Sequence, residues 1–156
     1  MKAFTILYII LTGSILFFTG VKTTFSQSAD SLHLQVEELI YNDPEAALEL
    51  ALQEIEITKK GTIAYVDGLN DAGKASYYMD EYVDGKKYLE DALNEATVIN
   101  YESGKATALF SLGDLYILEG KYGTAIDYLG DGLALFQKIK DDVGTADCLN
   151  GIGIIH

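Results

Sequence analysis

Residues 109–148, LFSLGDLYILEGKYGTAIDYLGDGLALFQKIKDDVGTADC, align without gaps to residues 69–108, LNDAGKASYYMDEYVDGKKYLEDALNEATVINYESGKATA. Ten of the 40 aligned positions are identical, among them Gly73 with Gly113 and Tyr82 with Tyr122. A third copy begins at Leu149. Self-similarity at a fixed spacing of 40 residues is typical of a solenoid built from repeated units.

Each copy is predicted to form two helices. Apolar residues in the second half of the later copy recur every three or four positions, which places them on one helical face. They are Tyr122, Ala125, Ile126, Leu129, Leu133 and Phe136. The first half has a similar face at Leu109, Leu112, Gly113, Leu115 and Tyr116. Two helix patterns that alternate along the chain predict an all-α fold.

The glycines of the repeat predict contacts and boundaries. Gly73, Gly113 and Gly153 fall inside predicted first helices, where glycine costs about 1 kcal/mol relative to alanine. We therefore expect close approach of the partner helix at these positions, with the small residues Gly85 and Ala125 opposite. Gly120 is predicted to end a helix, and Gly104 and Gly144 to lie in the turns between repeats.

The start of the domain is less regular. Asp43-Pro44-Glu45 is typical of a helix start, with an N-cap, proline at the first helical position and an acid in the first turn. The apolar face of this helix is predicted to hold Ala47, Leu48, Ala51, Leu52 and Ile55. This helix can be aligned with the helices of the later repeats in two ways that differ by one helical turn.

The pattern Leu109-x-x-Leu112-Gly113-x-x-Tyr116, followed by Ala125-x-x-x-Leu129, resembles the tetratricopeptide repeat. Two departures are a period of 40 instead of 34 and Gln137 where the family has a proline. Long-helix versions look like those at the N-terminus of bacterial signalling proteins. The resemblance implies a right-handed α-solenoid of stacked antiparallel helix pairs, with repeats at about 30–61, 62–101 and 102–141 and a partial repeat at 142–156. It also implies that the first helix of each pair lines the concave side.

The N-terminal segment has the layout of a secretory signal peptide. Lys2 precedes an apolar run over residues 3–20, and the small residues Thr24 and Ser26 precede a predicted cut before Gln27. Residues 1–26 are therefore predicted to direct export, and residues 27–156 to be periplasmic or secreted. The alternative is an uncleaved membrane anchor, because about 18 apolar residues are borderline for spanning a bilayer.

Composition narrows the function. Residues 27–156 contain nine lysines, no arginine and all 24 acidic residues, a net charge of −15. Such a chain repels phosphate backbones and anionic lipids, so nucleic acid and membrane surfaces are disfavoured as partners. His33 is predicted to be a surface residue, and His33 and His156 are too far apart in sequence to suggest a metal site. Cys148 is expected to be a small buried hydrophobe. We expect no catalytic residues, metal or cofactor, and hence no enzyme.

The resemblance implies a binding surface on the concave face, which would recognise a protein or peptide. The predicted partner-binding residues are Asn70, Lys74, Tyr77, Tyr78, Phe110, Asp114, Ile117 and Asn150, and the same stripe also holds Thr107, Asp147 and Ile154. The alternative is that the apolar members only fill gaps between repeats. Asn70 and Lys74 are similar to a carboxylate clamp, but their order is reversed and Phe110 and Asp114 follow in the next repeat.

Two functions from different classes remain open. The first is a binding module that acts as the sensor or scaffold of a larger bacterial protein. The second is the N-terminal part of a signalling enzyme or transcription regulator, such as a sensor histidine kinase or nucleotide cyclase, with its effector domain elsewhere. Because the third copy supplies a first helix without a second, we expect further repeats or a downstream domain in the same polypeptide.

Overall fold

The computed structural model describes residues 28–155, so the predicted signal peptide lies outside the described residues. Within this range the chain forms seven helices and no strand: α1 (Ala29–Leu39), α2 (Pro44–Ile57), α3 (Ile63–Tyr78), α4 (Tyr82–Val98), α5 (Glu102–Leu118), α6 (Tyr122–Ile139) and α7 (Asp142–Ile155). The predicted all-α class is confirmed. None of these helices is both long enough and apolar enough to cross a bilayer.

Local sequence signals set the first helix starts. Ser28, Asp43 and Thr62 precede α1, α2 and α3, and the side chain of each accepts a hydrogen bond from a backbone N–H three residues later. These bonds satisfy N–H groups that have no partner within the helix. Pro44 takes the first helical position, where its missing N–H is of no consequence. The predicted start at Asp43-Pro44-Glu45 is confirmed.

Helix ends recur with the same 40-residue spacing as the sequence. Asp80 (φ 61°) and Gly120 (φ 69°) follow α3 and α5, and Asn100 (φ 57°) and Lys140 (φ 60°) follow α4 and α6. A left-handed residue ends a helix because the next N–H groups can then bond back to the last free carbonyls. Gly120 is confirmed as a helix stop. Lys140 adopts this conformation although a Cβ atom makes it unfavourable.

Packing follows the order of the chain. Every helix packs against its successor, and in addition α1, α3, α5 and α7 contact one another in turn. Within residues 28–155, α2 does not contact α4, and α4 does not contact α6. The first helices therefore form one continuous inner layer, while the second helices stand apart on the outside.

Two of the three predicted glycine contacts are confirmed. A Cβ atom on Gly73 would lie 2.5 Å from the Leu89 Cγ atom, and one on Gly113 would lie 2.7 Å from the Leu129 Cγ atom. The carbonyl oxygens of Gly85 and Ala125 would lie 3.2 Å and 3.5 Å from these Cβ positions, so the small residues do stand opposite. The prediction is not tested at Gly153, because no helix follows α7 in the described residues; an added Cβ atom there has no neighbour within 4 Å, and this side of α7 is exposed.

Two other predictions need correction. Gly104 and Gly144 lie in the first turns of α5 and α7, not in the connecting turns. A Cβ atom at either position would collide with an aromatic ring, that of Tyr101 or Phe136. In α2, Leu52 is 40% exposed and Glu54 is 1% exposed, so the predicted apolar face is rotated and an acid takes an interior position.

Candidate functional site

Two adjoining cavities open along the inner layer of helices. The larger has a volume of about 500 Å³ and the smaller about 330 Å³. Tyr77, Phe110, Asp114 and Asp147 line both cavities, so the two form one continuous depression, which we call the inner groove. Its walls come from α3, α5 and α7 and from the end of α1 with the turn that follows, and Phe136 of α6 reaches the larger cavity.

The groove brings together seven of the eight predicted partner-binding residues. Lys74, Tyr77, Tyr78, Phe110 and Asp114 line the larger cavity, and Ile117 and Asn150 line the smaller one. Thr107, Asp147 and Ile154 of the same predicted stripe are also lining residues. The placement follows from the spacing, because residues three and four apart share a helical face and this face turns away from the second helices.

Asn70 is the exception. Its side chain is 3% exposed, and its Nδ2 atom donates a hydrogen bond to the Gly104 carbonyl oxygen at 3.1 Å. This bond links α3 to the start of α5, where a Cβ atom on Gly104 would lie 2.8 Å from the Val66 Cγ1 atom of α3. The predicted place of Asn70 on the accessible face is therefore wrong, and the similarity to a carboxylate clamp loses one of its two members.

Aromatic rings form one end of the groove. The Tyr41 and Tyr78 ring centroids lie 5.1 Å apart and those of Tyr77 and Tyr78 lie 5.2 Å apart, both edge to face. Burial and the neighbouring Tyr41 raise the pKa of Tyr78 to about 12, so its hydroxyl stays neutral. These rings, with Phe110 further along, offer apolar surface and electron-rich faces that attract cations.

The groove is acidic. Five carboxylates line the larger cavity against the single ammonium of Lys74: Glu37, Asp71, Asp114, Asp141 and Asp147. Two of them already have partners in the fold, because Asp71 binds His33 and Asp141 accepts a hydrogen bond from the Gly144 N–H. Burial, followed by the charge of Asp147, raises the pKa of Asp114 to about 6. A cation beside Asp114 would offset both effects.

Cys148 lies behind the groove and is fully buried. Burial and the nearby charges of Asp114 and Asp147 raise the pKa of its thiol to about 11. A neutral thiol is a poor nucleophile. The expectation that Cys148 is a small buried hydrophobe is confirmed.

A polar cluster lies beneath one wall of the groove, between α1, α2 and α3. The His33 Nδ1 atom lies 2.6 Å from the Asp71 Oδ2 atom, and this bond to a buried carboxylate raises the pKa of His33 to about 9. Glu54 is buried beside them, and burial raises its pKa to about 7. Its Oε2 atom has no hydrogen-bond partner among the described residues.

Sequence reasoning missed this cluster. The His33 side chain is 34% exposed, as expected for a surface residue, but its bond to Asp71 of α3 was not predicted. A signal was present in α2, where Glu54 continues the spacing of Ala47 and Ala51 and so falls on the buried face. Histidine and carboxylates on three different helices meet only after folding, and no local spacing predicts that.

No protein-family model matches the chain, and no curated protein matches it.

Proposed function

We propose that this chain is an exported binding module of the tetratricopeptide type whose inner groove holds an extended, lysine- or arginine-containing segment of another protein. The observation that carries the proposal is the combination of aromatic rings and carboxylates along one groove of the inner helices. Such a groove binds by shape and side-chain complementarity, without chemistry on the bound segment.

The length of the groove suits a short extended segment. It runs from α3 across α5 to α7. Neighbouring packed helices lie about 8–10 Å apart, so the groove spans roughly 20 Å. That distance corresponds to about six extended residues at roughly 3.3 Å each. A ligand of this size contacts both cavities at once.

The carboxylates of the groove favour a positively charged ligand. Asp114 and Asp147 lie where the two cavities meet, and Tyr77 and Phe110 line the same stretch. A lysine or arginine side chain placed there can pair with the carboxylates while its methylenes or guanidinium lie on an aromatic face. An acidic segment would meet like charges in a partly desolvated site.

Fluorescence anisotropy with two labelled eight-residue peptides tests the proposal. One peptide alternates lysine with leucine, and the other alternates glutamate with leucine. We expect the purified chain to bind the lysine peptide and not the glutamate peptide. The double variant Asp114→Asn/Asp147→Asn should weaken binding at least tenfold, about 1.4 kcal/mol.

The matched control is Asp127→Asn/Asp131→Asn, which removes the same charge from exposed positions on α6 outside the groove. Its affinity should change by less than about twofold, as for screened surface charges. Equal losses in the two double variants would mean that the peptide is attracted only by the overall negative charge, and the groove proposal would fail.

A further inference from the structure

The polar cluster between α1, α2 and α3 has the composition of a metal site. His33, Glu54 and Asp71 each offer one ligand atom, and these three atoms lie within 4.8 Å of one another. The ligands come from three different helices, and all three helices pack against one another. We propose that this cluster binds one divalent transition-metal ion of the zinc type and thereby fixes the N-terminal end of the stack.

The unsatisfied carboxylate of Glu54 points to a ligand. Its side chain is 1% exposed, and its Oε2 atom has no hydrogen-bond partner among the described residues. Burying a carboxylate without a partner is costly, and native structures almost always supply one. A metal ion supplies that partner and neutralises two buried carboxylates in one step.

The distances allow coordination after the three side chains shift by about an ångström. Zinc binds imidazole nitrogen and carboxylate oxygen at about 2.1 Å in a tetrahedral arrangement, so two ligand atoms of one ion lie ~3.4 Å apart. The three ligand atoms lie within 4.8 Å of one another, so the widest separation must shorten by at most ~1.4 Å through side-chain rotation. The 2.6 Å contact between His33 Nδ1 and Asp71 Oδ2 must open by ~0.8 Å. Coordination at Nδ1 replaces the hydrogen bond to Asp71, and the displaced proton leaves to solvent.

The donor set indicates the class of metal. Imidazole nitrogen with carboxylate oxygen suits zinc and its transition-metal neighbours, whereas calcium and magnesium prefer oxygen alone. The His33 side chain is 34% exposed, which gives an ion a path from solvent. Glu37 lies on the other side of the ring, with its Oε1 atom 3.8 Å from the His33 Nε2 atom, where it can help to orient the imidazole. Water can complete the coordination of the ion.

Isothermal titration of the purified, untagged chain with zinc chloride tests the site. We expect one zinc ion per chain, and much weaker binding of magnesium and calcium chloride. Glu54→Gln keeps the shape of the side chain but removes its charge, and should weaken zinc binding at least tenfold. Glu49→Gln is the matched control on the same helix, where the acid is exposed, and should leave the affinity unchanged. His156→Ala removes the other histidine and should also leave it unchanged.

Thermal unfolding gives a second readout. Zinc should raise the melting temperature of the wild-type chain and of Glu49→Gln, and should raise that of Glu54→Gln much less, since only the folded site binds the ion. Circular dichroism verifies that Glu54→Gln is folded. A wild-type chain without one-to-one zinc binding, or equal affinities in Glu54→Gln and Glu49→Gln, would overturn the proposal. Glu54 does not line the groove, so Glu54→Gln leaves the lining side chains unchanged, and zinc binding is measured without any peptide.

Discussion

The helix pairs α3–α4 and α5–α6 share the same contacts between their two helices but carry different side chains along the groove. Gly73 against Leu89 in one pair corresponds to Gly113 against Leu129 in the other, and both leucines are fully buried. The left-handed residues that end the helices also recur 40 positions apart. The repeated positions therefore determine how the two helices of each pair pack together.

The groove positions differ between the same two pairs. Lys74 of α3 corresponds to Asp114 of α5, and Tyr77 corresponds to Ile117. At the position of Asn70, which bonds α3 to α5, the second pair has Phe110, which lines the groove. One framework thus carries side chains of opposite charge and different polarity on its accessible face. Stability should depend on the repeated glycine and leucine positions, and binding should depend on the positions that line the groove.

The largest effect is expected at the repeated glycines. Gly73→Leu and Gly113→Leu should each lower the free energy of unfolding by more than about 3 kcal/mol, because even a Cβ atom is too close to the buried leucine opposite. Chemical denaturation measures both. Gly130→Leu is the control within α6, where no atom lies within 4 Å of an added Cβ, and should be neutral or slightly stabilising. If only one of the two variants lost stability, the helices of the two pairs would not pack in the same way.

Charge changes at the equivalent positions 74 and 114 should act in opposite directions on binding. Asp114→Lys should weaken binding of the lysine–leucine peptide about tenfold or more, and Lys74→Asp should strengthen it, since both residues line the larger cavity. Anisotropy titrations give the two affinities, and salt should reduce both effects. Changes of the same sign would contradict the proposed position of the cationic side chains.

A smaller effect is expected at the end of α6. Lys140 has φ 60°, a conformation that glycine adopts without strain. Lys140→Gly should therefore stabilise the chain by about 0.5–1 kcal/mol in urea denaturation, because the relief of left-handed strain exceeds the entropy cost of glycine. Lys140→Ala keeps the Cβ atom and should give no such gain, which separates backbone strain from loss of the lysine charge.

The smallest effect is a pH dependence of peptide binding. The pKa of Asp114 is raised to about 6, so its carboxylate is charged above pH 6 and neutral below it. Affinity for the lysine–leucine peptide should therefore fall by about threefold from pH 7.5 to pH 5. The titratable groups around Asp114 are Tyr77 and Tyr78 of α3 and Asp147 and Cys148 of α7, with Glu37, Tyr41, Asp71, Lys74 and Asp141 along the same cavity. Asp114→Asn should remove most of this pH dependence. If the affinity of that variant depended on pH as strongly as the affinity of the wild type, another group would be responsible.

The sequence predicted the features that follow from the 40-residue repeat and from helical spacing, and it missed those that depend on contacts between helices. The 40-residue period predicted the helix pairs and the close contacts at Gly73 and Gly113, and helical spacing placed Lys74, Tyr77 and Asp114 on one face. It failed at Asn70, because accessibility there depends on how closely α3 approaches α5. It also failed at His33, Glu54 and Asp71, which lie on three helices and become neighbours only through tertiary packing.

The most direct measurement is an NMR titration of the isotope-labelled chain with the lysine–leucine peptide. Binding in the inner groove predicts that the largest amide shift changes occur on α3, α5 and α7, around Tyr77, Phe110 and Asn150. Amides on the exposed faces of α4 and α6 should move little. Shift changes concentrated on α4 and α6, or spread evenly over the acidic surface, would contradict the proposal that the inner groove is the binding site.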